Sequence, residues 1–173
     1  MMMQINVAQQ LKGPIGSKRD YEVSGTIDIN DNGQPSPVEG EVTLTRTNRS
    51  ILVNARLRTN LEVACSRCLT HFTCPLALHI QEEYFPSTDV VNGTPLPPPD
   101  EPGAFTIDGH HTLDLSEAVR QYALLAVPMK PLCSEDCAGL CPDCGQNLNR
   151  GACNCRQDDI DPRWTVLKQV NLN

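Results

Sequence analysis

Aromatic side chains are scarce, with three Phe, three Tyr and one Trp in 173 residues. Any core must therefore rest on Val, Ile, Leu and Ala. No run of about 18 apolar residues occurs, so no membrane-spanning helix is expected. The opening MMMQINVAQQLKG has neither a charged n-region nor an apolar h-region, and it is read as no secretory signal. A basic excess is missing too. Fourteen Lys and Arg stand against 21 Asp and Glu, a formal charge of −7. That balance argues against a chain whose whole body binds nucleic acid, while leaving room for a local basic face. Catalytic patterns are also wanting. Ser116 and Ser134 have no nucleophile elbow around them, and there is no Gly-rich phosphate loop. His71, His79, His110 and His111 come without a spaced carboxylate partner. The expectation is a protein that is not an enzyme.

What is present is strongly patterned. Residues 1–73 carry a net +1, residues 74–128 a net −7 and residues 129–173 a net −1. Four stretches alternate apolar and polar residues, as half-buried antiparallel strands do. They centre on Tyr21–Ile29, Val38–Leu44, Ile51–Val63 and Phe72–Tyr84. Asp31-Asn32-Gly33 and Thr47-Asn48-Arg49 supply turns between them. A short strand is possible near Gln4–Ala8. Pro75 cannot donate to a ladder, so its strand is expected at an edge or with a bulge. Residues 86–112 hold six prolines and four acids and read as a mobile linker or long loop, with a brief strand at Phe105–Ile107. One helix should then start near Asp114, with Glu117 completing a capping box. Its stripe would be Leu115, Ala118, Val119, Tyr122, Leu125 and Ala126, ending before Pro128. A second short helix is expected from Asp161, burying Trp164, Leu167 and Val170.

Nine cysteines are the chemical signature. In a reducing compartment disulfides are rare, and close C-x-x-C and C-x-C neighbours aim two thiolates at one cation better than they bridge each other. Cys65 and Cys68 fall between two strands, as a knuckle at a hairpin tip. Cys133 and Cys137 form a C-x3-C pair, Cys141 and Cys144 a C-x-x-C pair, and Cys153 and Cys155 a C-x-C pair. Eight ligands make two closed four-thiolate sites, which are structural and not catalytic. The pairing expected is Cys65, Cys68, Cys133 and Cys137 in one site, with Cys141, Cys144, Cys153 and Cys155 in the other. A cross-paired arrangement uses the same eight residues, and spacing does not choose between them. Zinc is the expected metal, as one or two ions, with rubredoxin-like iron the competing choice. Cys74 shares the apolar parity of Phe72 and Leu76 and should be a core residue. Arg46, Arg49, Arg56, Arg58 and Arg67 fall within 22 residues, a candidate phosphate-contacting patch beside the first knuckle. A solvated outer face shared with Glu39, Glu41 and Glu62 explains them equally well.

The CSRCL knuckle, the Pro-rich acidic middle, the helix running into VP, LCSEDCAGLCPDCGQNLNRGACNC and DPRWTVLKQV together resemble the bacterial YceD-like family. Its members are also called large ribosomal RNA subunit accumulation proteins, and plants have organellar relatives. The resemblance spans roughly residues 20–170, with GLCPDCGQNLN and DPRW its specific parts. It implies a role in accumulation or processing of large-subunit ribosomal RNA and no catalytic activity. It also implies that the family's hairpin pair is Cys65 and Cys68 and its downstream cluster Cys133 to Cys155.

The resulting expectation is an α+β fold. An antiparallel β-rich domain (1–128, with the loop 86–112) carries one packed helix. A Cys-rich zinc-binding segment (129–173) docks on the 65–68 hairpin tip. The function expected is a cytoplasmic, non-enzymatic ribosome-biogenesis factor whose partner is precursor ribosomal RNA or a large-subunit protein. The alternatives are a redox-regulated zinc holdase chaperone and a zinc-ribbon adaptor in transcription.

Overall fold

The computed structural model describes residues 3–29, 33–99 and 101–155. The expected turn at Asp31-Asn32 and the tail helix from Asp161 lie outside them. The structure is rich in sheet and poor in helix. In chain order it contains β1 (Gln4–Asn6), α1 (Ala8–Leu11), β2 (Lys18–Ile27), β3 (Ser36–Arg46), β4 (Ile51–Ala64), β5 (His71–Pro86), β6 (Phe105–Ile107), β7 (Thr112–Asp114) and α2 (Ser116–Ala126), followed by a 3-10 turn at Leu148–Arg150. Two compact units result. The first is Met1–Val63 with Phe72–Pro131, and the second is Ala64–His71 with the chain from Leu132.

In the first unit, β2 to β6 form one sheet in the order β2-β3-β4-β5-β6, and β1 pairs with β7 in a separate ribbon. The strands exist because period two places every second residue on one face. In β4 the side chains of Ile51, Val53, Ala55, Leu57 and Leu61 are buried, while Asn54, Arg56, Arg58 and Asn60 are exposed. Cys74, Leu76, Leu78 and Ile80 of β5 join the same core, so the ninth cysteine is a buried apolar group. Strand β6 runs parallel to β5 and pairs only at Tyr84–Pro86, which leaves Pro75 clear of that contact.

The register between β3 and β4 depends on Gly40. It pairs with Val23 on one side and Leu57 on the other. Its φ is +151°, and a Cβ built there would lie 2.9 Å from Leu57 Cα and closer still to the Arg56 carbonyl oxygen. Only glycine fits between these strands.

Two sequence expectations are corrected. The helix starts at Ser116, and Asp114 belongs to β7. No side chain caps the helix in the expected manner. The Asp114 carboxylate instead accepts from Ser116 N–H at 2.8 Å and from Gln4 Nε2 at 2.7 Å, pinning β1 to the helix entry. The buried stripe of α2 is Leu115, Ala118, Val119 and Ala123, whereas Leu125 is 81% exposed. The expected stripe ran one turn too far: Tyr122 is half-buried against the core, while Leu125 and Ala126 are exposed. Of the two forms expected for 86–112, linker or long loop, the structure shows a long loop with internal order, carrying the expected strand at Phe105–Ile107. Leu96 N–H donates to the Ser87 carbonyl, Ser87 N–H to that of Ile107, and Ile107 is fully buried.

Tyr84 is the largest fully buried side chain, and its ring stacks on Phe105 with centroids 5.0 Å apart. Its hydroxyl has no hydrogen-bond partner among the described residues, and burial pushes its pKa well above the usual phenol value. A buried hydroxyl without a partner costs about 1–3 kcal/mol. Tyr84→Phe should therefore raise the stability of the first unit by about 1 kcal/mol, read as a higher urea midpoint at unchanged m-value.

Candidate metal centres

All eight expected cysteine ligands fall in the second unit. The chain leaving β4 turns at Cys65-Ser66-Arg67-Cys68 and returns as β5. Cys65 N–H donates to the Thr70 carbonyl and Leu69 N–H to the Cys65 carbonyl, each at 2.9 Å. The second knuckle repeats this pattern. Cys141 N–H donates to Gln146 at 2.8 Å, and Gly145 N–H to Cys141 at 2.9 Å. Both turns place a left-handed residue directly after the second cysteine, Leu69 at φ 56° and Gly145 at φ 72°. Glycine adopts that conformation freely, while leucine pays about 1–2 kcal/mol. Leu69 is also 64% exposed, so packing does not compensate. Leu69→Gly should stabilise the second unit by up to about 1 kcal/mol, visible as slower amide exchange at Cys65 and Leu69.

These turns bring the sulfurs together in two quartets: Cys65, Cys68, Cys133 and Cys137, and Cys141, Cys144, Cys153 and Cys155. Within each, all four sulfurs lie within 4.8 Å of one another. Cys65 Sγ is 3.7 Å from Cys137 Sγ, and Cys68 Sγ is 3.6 Å from Cys133 Sγ. A disulfide would hold them at about 2.05 Å. Four sulfurs at about 2.3 Å from one zinc ion lie about 3.8 Å apart along the edges of a tetrahedron. The spacing is that of a closed thiolate cage, and the donor set fits zinc or another soft cation.

The electrostatics agree. Burial raises the Cys65 thiol, but backbone groups of Cys133, Cys68 and Arg67 outweigh it and bring its pKa to about 6. The side chain and backbone of Thr70 hold Cys68 below the ordinary thiol value. Cys133 is pushed up to about 12, chiefly by the Cys68 sulfur beside it. In the second quartet, backbone groups of Cys144 and Asp143 bring Cys141 to about 7, while the Cys144 sulfur pushes Cys155 up to about 12. The first cage thus has two sulfurs drawn toward thiolate, Cys65 and Cys68, against Cys133, and the second has Cys141 drawn toward thiolate against Cys153 and Cys155. Four sulfurs this close ionise together only around a cation.

Polar groups complete the surroundings. Arg67 Nη1 donates to the Cys137 carbonyl at 3.0 Å. Asn149 Nδ2 donates to Cys137 Sγ at 3.3 Å, and its Oδ1 accepts from Ala138 N–H at 2.7 Å. Asn147 Nδ2 donates to Thr70 Oγ1 at 3.1 Å. Gly139, at φ +78°, lets the chain pass against the Arg67 carbonyl, where a Cβ would sit at 3.3 Å.

The five arginines are not gathered into one cluster. Arg67 belongs to the second unit, where its guanidinium serves backbone carbonyls. Arg46 and Arg49 stand at the β3–β4 turn and line a cleft of about 480 Å³ with Leu11, Phe85 and Val90. Arg46 is half-buried, which lowers its pKa, and it donates to the Ser50 carbonyl. Arg56 and Arg58 lie exposed on β4, directly opposite Glu41 and Glu39 of β3. At about 3.3 Å per residue, the five positions from Arg46 back to Glu41 separate the two groups by roughly 17 Å.

Residues 53–171 match the family model described as Large ribosomal RNA subunit accumulation protein YceD, more than half of the chain and all eight quartet cysteines. The chain belongs to the YceD family. A YceD homologue of Arabidopsis thaliana, named large ribosomal RNA subunit accumulation protein YCED homolog 1, chloroplastic, is 25% identical over 82% of this chain and 51% of its own length. The Zea mays protein of the same name is 24% identical over 79% of this chain and 54% of its own. An uncharacterised protein of Mycobacterium tuberculosis is 39% identical over 59 residues, 34% of this chain and 28% of its own length. The chain thus spans about half, or less, of the curated relatives it matches. No solved structure matches it. No helix among the described residues is long and apolar enough to cross a membrane.

Reading this YceD-family sequence by its cysteines missed Thr70, Asn147 and Asn149, which touch the sulfurs or one another. The only signal for them was a run of asparagines inside a loop bounded by ligands, and asparagine in a loop is usually read as turn chemistry.

Proposed function

We propose that this protein is a non-enzymatic assembly factor of the large ribosomal subunit that acts in the cytoplasm. Two zinc-stabilised knuckles present a binding surface to precursor ribosomal RNA or to a large-subunit protein. Membership of a family named for large-subunit ribosomal RNA accumulation carries this reading. The closed sulfur cages support a structural metal, since four thiolates leave no position for a reacting water. Arg56 and Arg58 lie exposed on β4, and in this reading they supply the phosphate contact.

The test is recovery of the tagged protein from its own cells, with sequencing of bound RNA and mass spectrometry of bound protein. Enrichment of large-subunit precursor RNA or early-binding large-subunit proteins is expected. Arg56→Glu with Arg58→Glu should cut RNA recovery about tenfold and flatten its salt dependence. Unchanged recovery would remove this strand from the interface, and recovery of neither class would remove the ribosomal reading.

One observation favours a second reading, the redox-regulated holdase: each cage has one exposed cysteine, Cys133 in the first and Cys144 in the second. Peroxide would then release metal as sulfurs are oxidised. Peroxide treatment that frees zinc and produces suppression of aggregation of a model client selects this reading over the first.

A further inference from the structure

The two sulfur cages do not stand independently. The eight residues between Cys144 and Cys153 form a polar loop, and its 3-10 turn Leu148–Arg150 buries nothing. Its most buried apolar side chain, Leu148, is only half-buried. Its order rests on short-range hydrogen bonds, such as Gln146 Nε2 to the carbonyls of Gly151 and Ala152, and on the cysteines at its two ends. Both ends are ligands of the second cage.

The same loop reaches the first cage twice. Asn149 clamps the turn after Cys137 through both ends of its carboxamide, Nδ2 on the sulfur and Oδ1 on Ala138 N–H. Asn149 Nδ2 also donates to Asn147 Oδ1 at 2.9 Å. Asn147 in turn donates to Thr70 Oγ1, two residues after the ligand Cys68. One ligand of the first cage, Cys137, is therefore touched directly by a loop whose two ends are ligands of the second cage, and the turn that carries Cys68 is held by the same loop through Thr70. Backbone contacts run the same way, with Leu148 N–H donating to the Gly139 carbonyl at 2.9 Å.

We propose that the second cage licenses the first: metal held by Cys141, Cys144, Cys153 and Cys155 fixes Asn147 and Asn149, and these positioning residues set the Cys137 sulfur and the turn that carries Cys68 for the first metal. The inference rests on the reading that both cages bind metal. Outer hydrogen bonds to ligands are typically worth 10–100-fold in metal affinity. Linkage makes the effect reciprocal, so filling the first cage tightens the second by the same factor. Loading is then steeper than for two separate sites. The knuckle surface exists in two main forms, metal-free and fully loaded, with few singly loaded molecules between.

Cobalt(II) is the probe, since its thiolate charge-transfer and d–d bands report tetrahedral sulfur coordination, and a competing chelator sets the free metal. The full chain should bind two cobalt ions cooperatively. Cys153→Ser with Cys155→Ser should leave one ion, bound 10–100-fold more weakly than the overall wild-type affinity per site. Cys65→Ser with Cys137→Ser should weaken the second cage by a similar factor. Asn149→Ala and Asn149→Asp keep all eight ligands, and Asn149→Asp also keeps the acceptor for Ala138 N–H. Both should still bind two ions but lose cooperativity, with Asn149→Asp the weaker because it adds a negative charge beside a thiolate. Two ions bound non-cooperatively by the wild type, or wild-type binding curves from both Asn149 variants, would overturn the coupling and leave the metal reading intact. No cobalt bound by the wild type would overturn both.

Discussion

Stripping metal from this protein with a strong chelator is expected to unfold the second unit and leave the first folded. The chain from Leu132 to Cys155 contributes only Cys137 and Cys141 as buried apolar residues, and both are cage ligands. Without a core of its own, such a segment draws its folding free energy from the metal, and structural zinc sites supply about 10–16 kcal/mol at neutral pH. The first unit draws on a core in which none of the eight ligands takes part; Cys74 is the only cysteine within it. Limited proteolysis reads the result. With chelator, cuts should appear between residues 132 and 155 and at the 65–68 tip, while β2 to β5 stay protected. A single ligand change such as Cys141→Ser should give the same map without chelator. A protease pattern indifferent to chelator would mean that the cages are held by something other than metal.

The second large effect concerns the sheet. Gly40→Ala should cost about 3 kcal/mol, because the added methyl meets backbone on the neighbouring strand and not a side chain able to swing away. The β3–β4 register that the mutation breaks also places Arg56 against Glu41 and Arg58 against Glu39. The variant should therefore lose both stability and the arrangement of that exposed face. Urea denaturation followed by far-UV circular dichroism measures the first. Gly16→Ala serves as the comparison, since its φ is also positive but nothing lies within 4 Å of the added Cβ. It should cost about 1 kcal/mol, from backbone strain alone. Equal losses at the two positions would show that strain, and not the close approach, sets the cost at Gly40.

Much of this was readable from residue order. The strand alternation around Val42, Val53 and Leu78 is physically compulsory once one face is buried, so the sheet followed from period alone. The close spacing marked the eight ligands but did not choose between the expected pairing and a cross-paired one, and the geometry gathers the two expected sets. Less was visible where no period exists. The α1 turn at Ala8–Leu11 is a single four-residue helix whose Gln10 reaches the Leu44 carbonyl at 2.8 Å, a contact between residues 34 positions apart. The end of the α2 stripe carries no local signal, since Leu124 and Leu125 are as apolar as the buried residues before them yet are exposed. The left-handed turn at Leu69 contradicts the residue that occupies it. The asparagines beside the first cage, Asn147 and Asn149, carried no hydrophobic signal at all.

The two knuckles share a shape but not a timetable. Cys68 and Cys133 are 65 residues apart in the chain yet 3.6 Å apart in space. At synthesis rates of about 5–20 residues per second, the hairpin tip waits roughly 3–13 s for its partners to be made. The second quartet closes within a stretch of 15 residues, Cys141 to Cys155. Loop closure grows only as the logarithm of length, so the longer ring costs roughly 1.4 kcal/mol more. During its own synthesis the protein therefore carries two thiols at an open tip for seconds, and a cell short of metal or rich in oxidant meets them first in that interval.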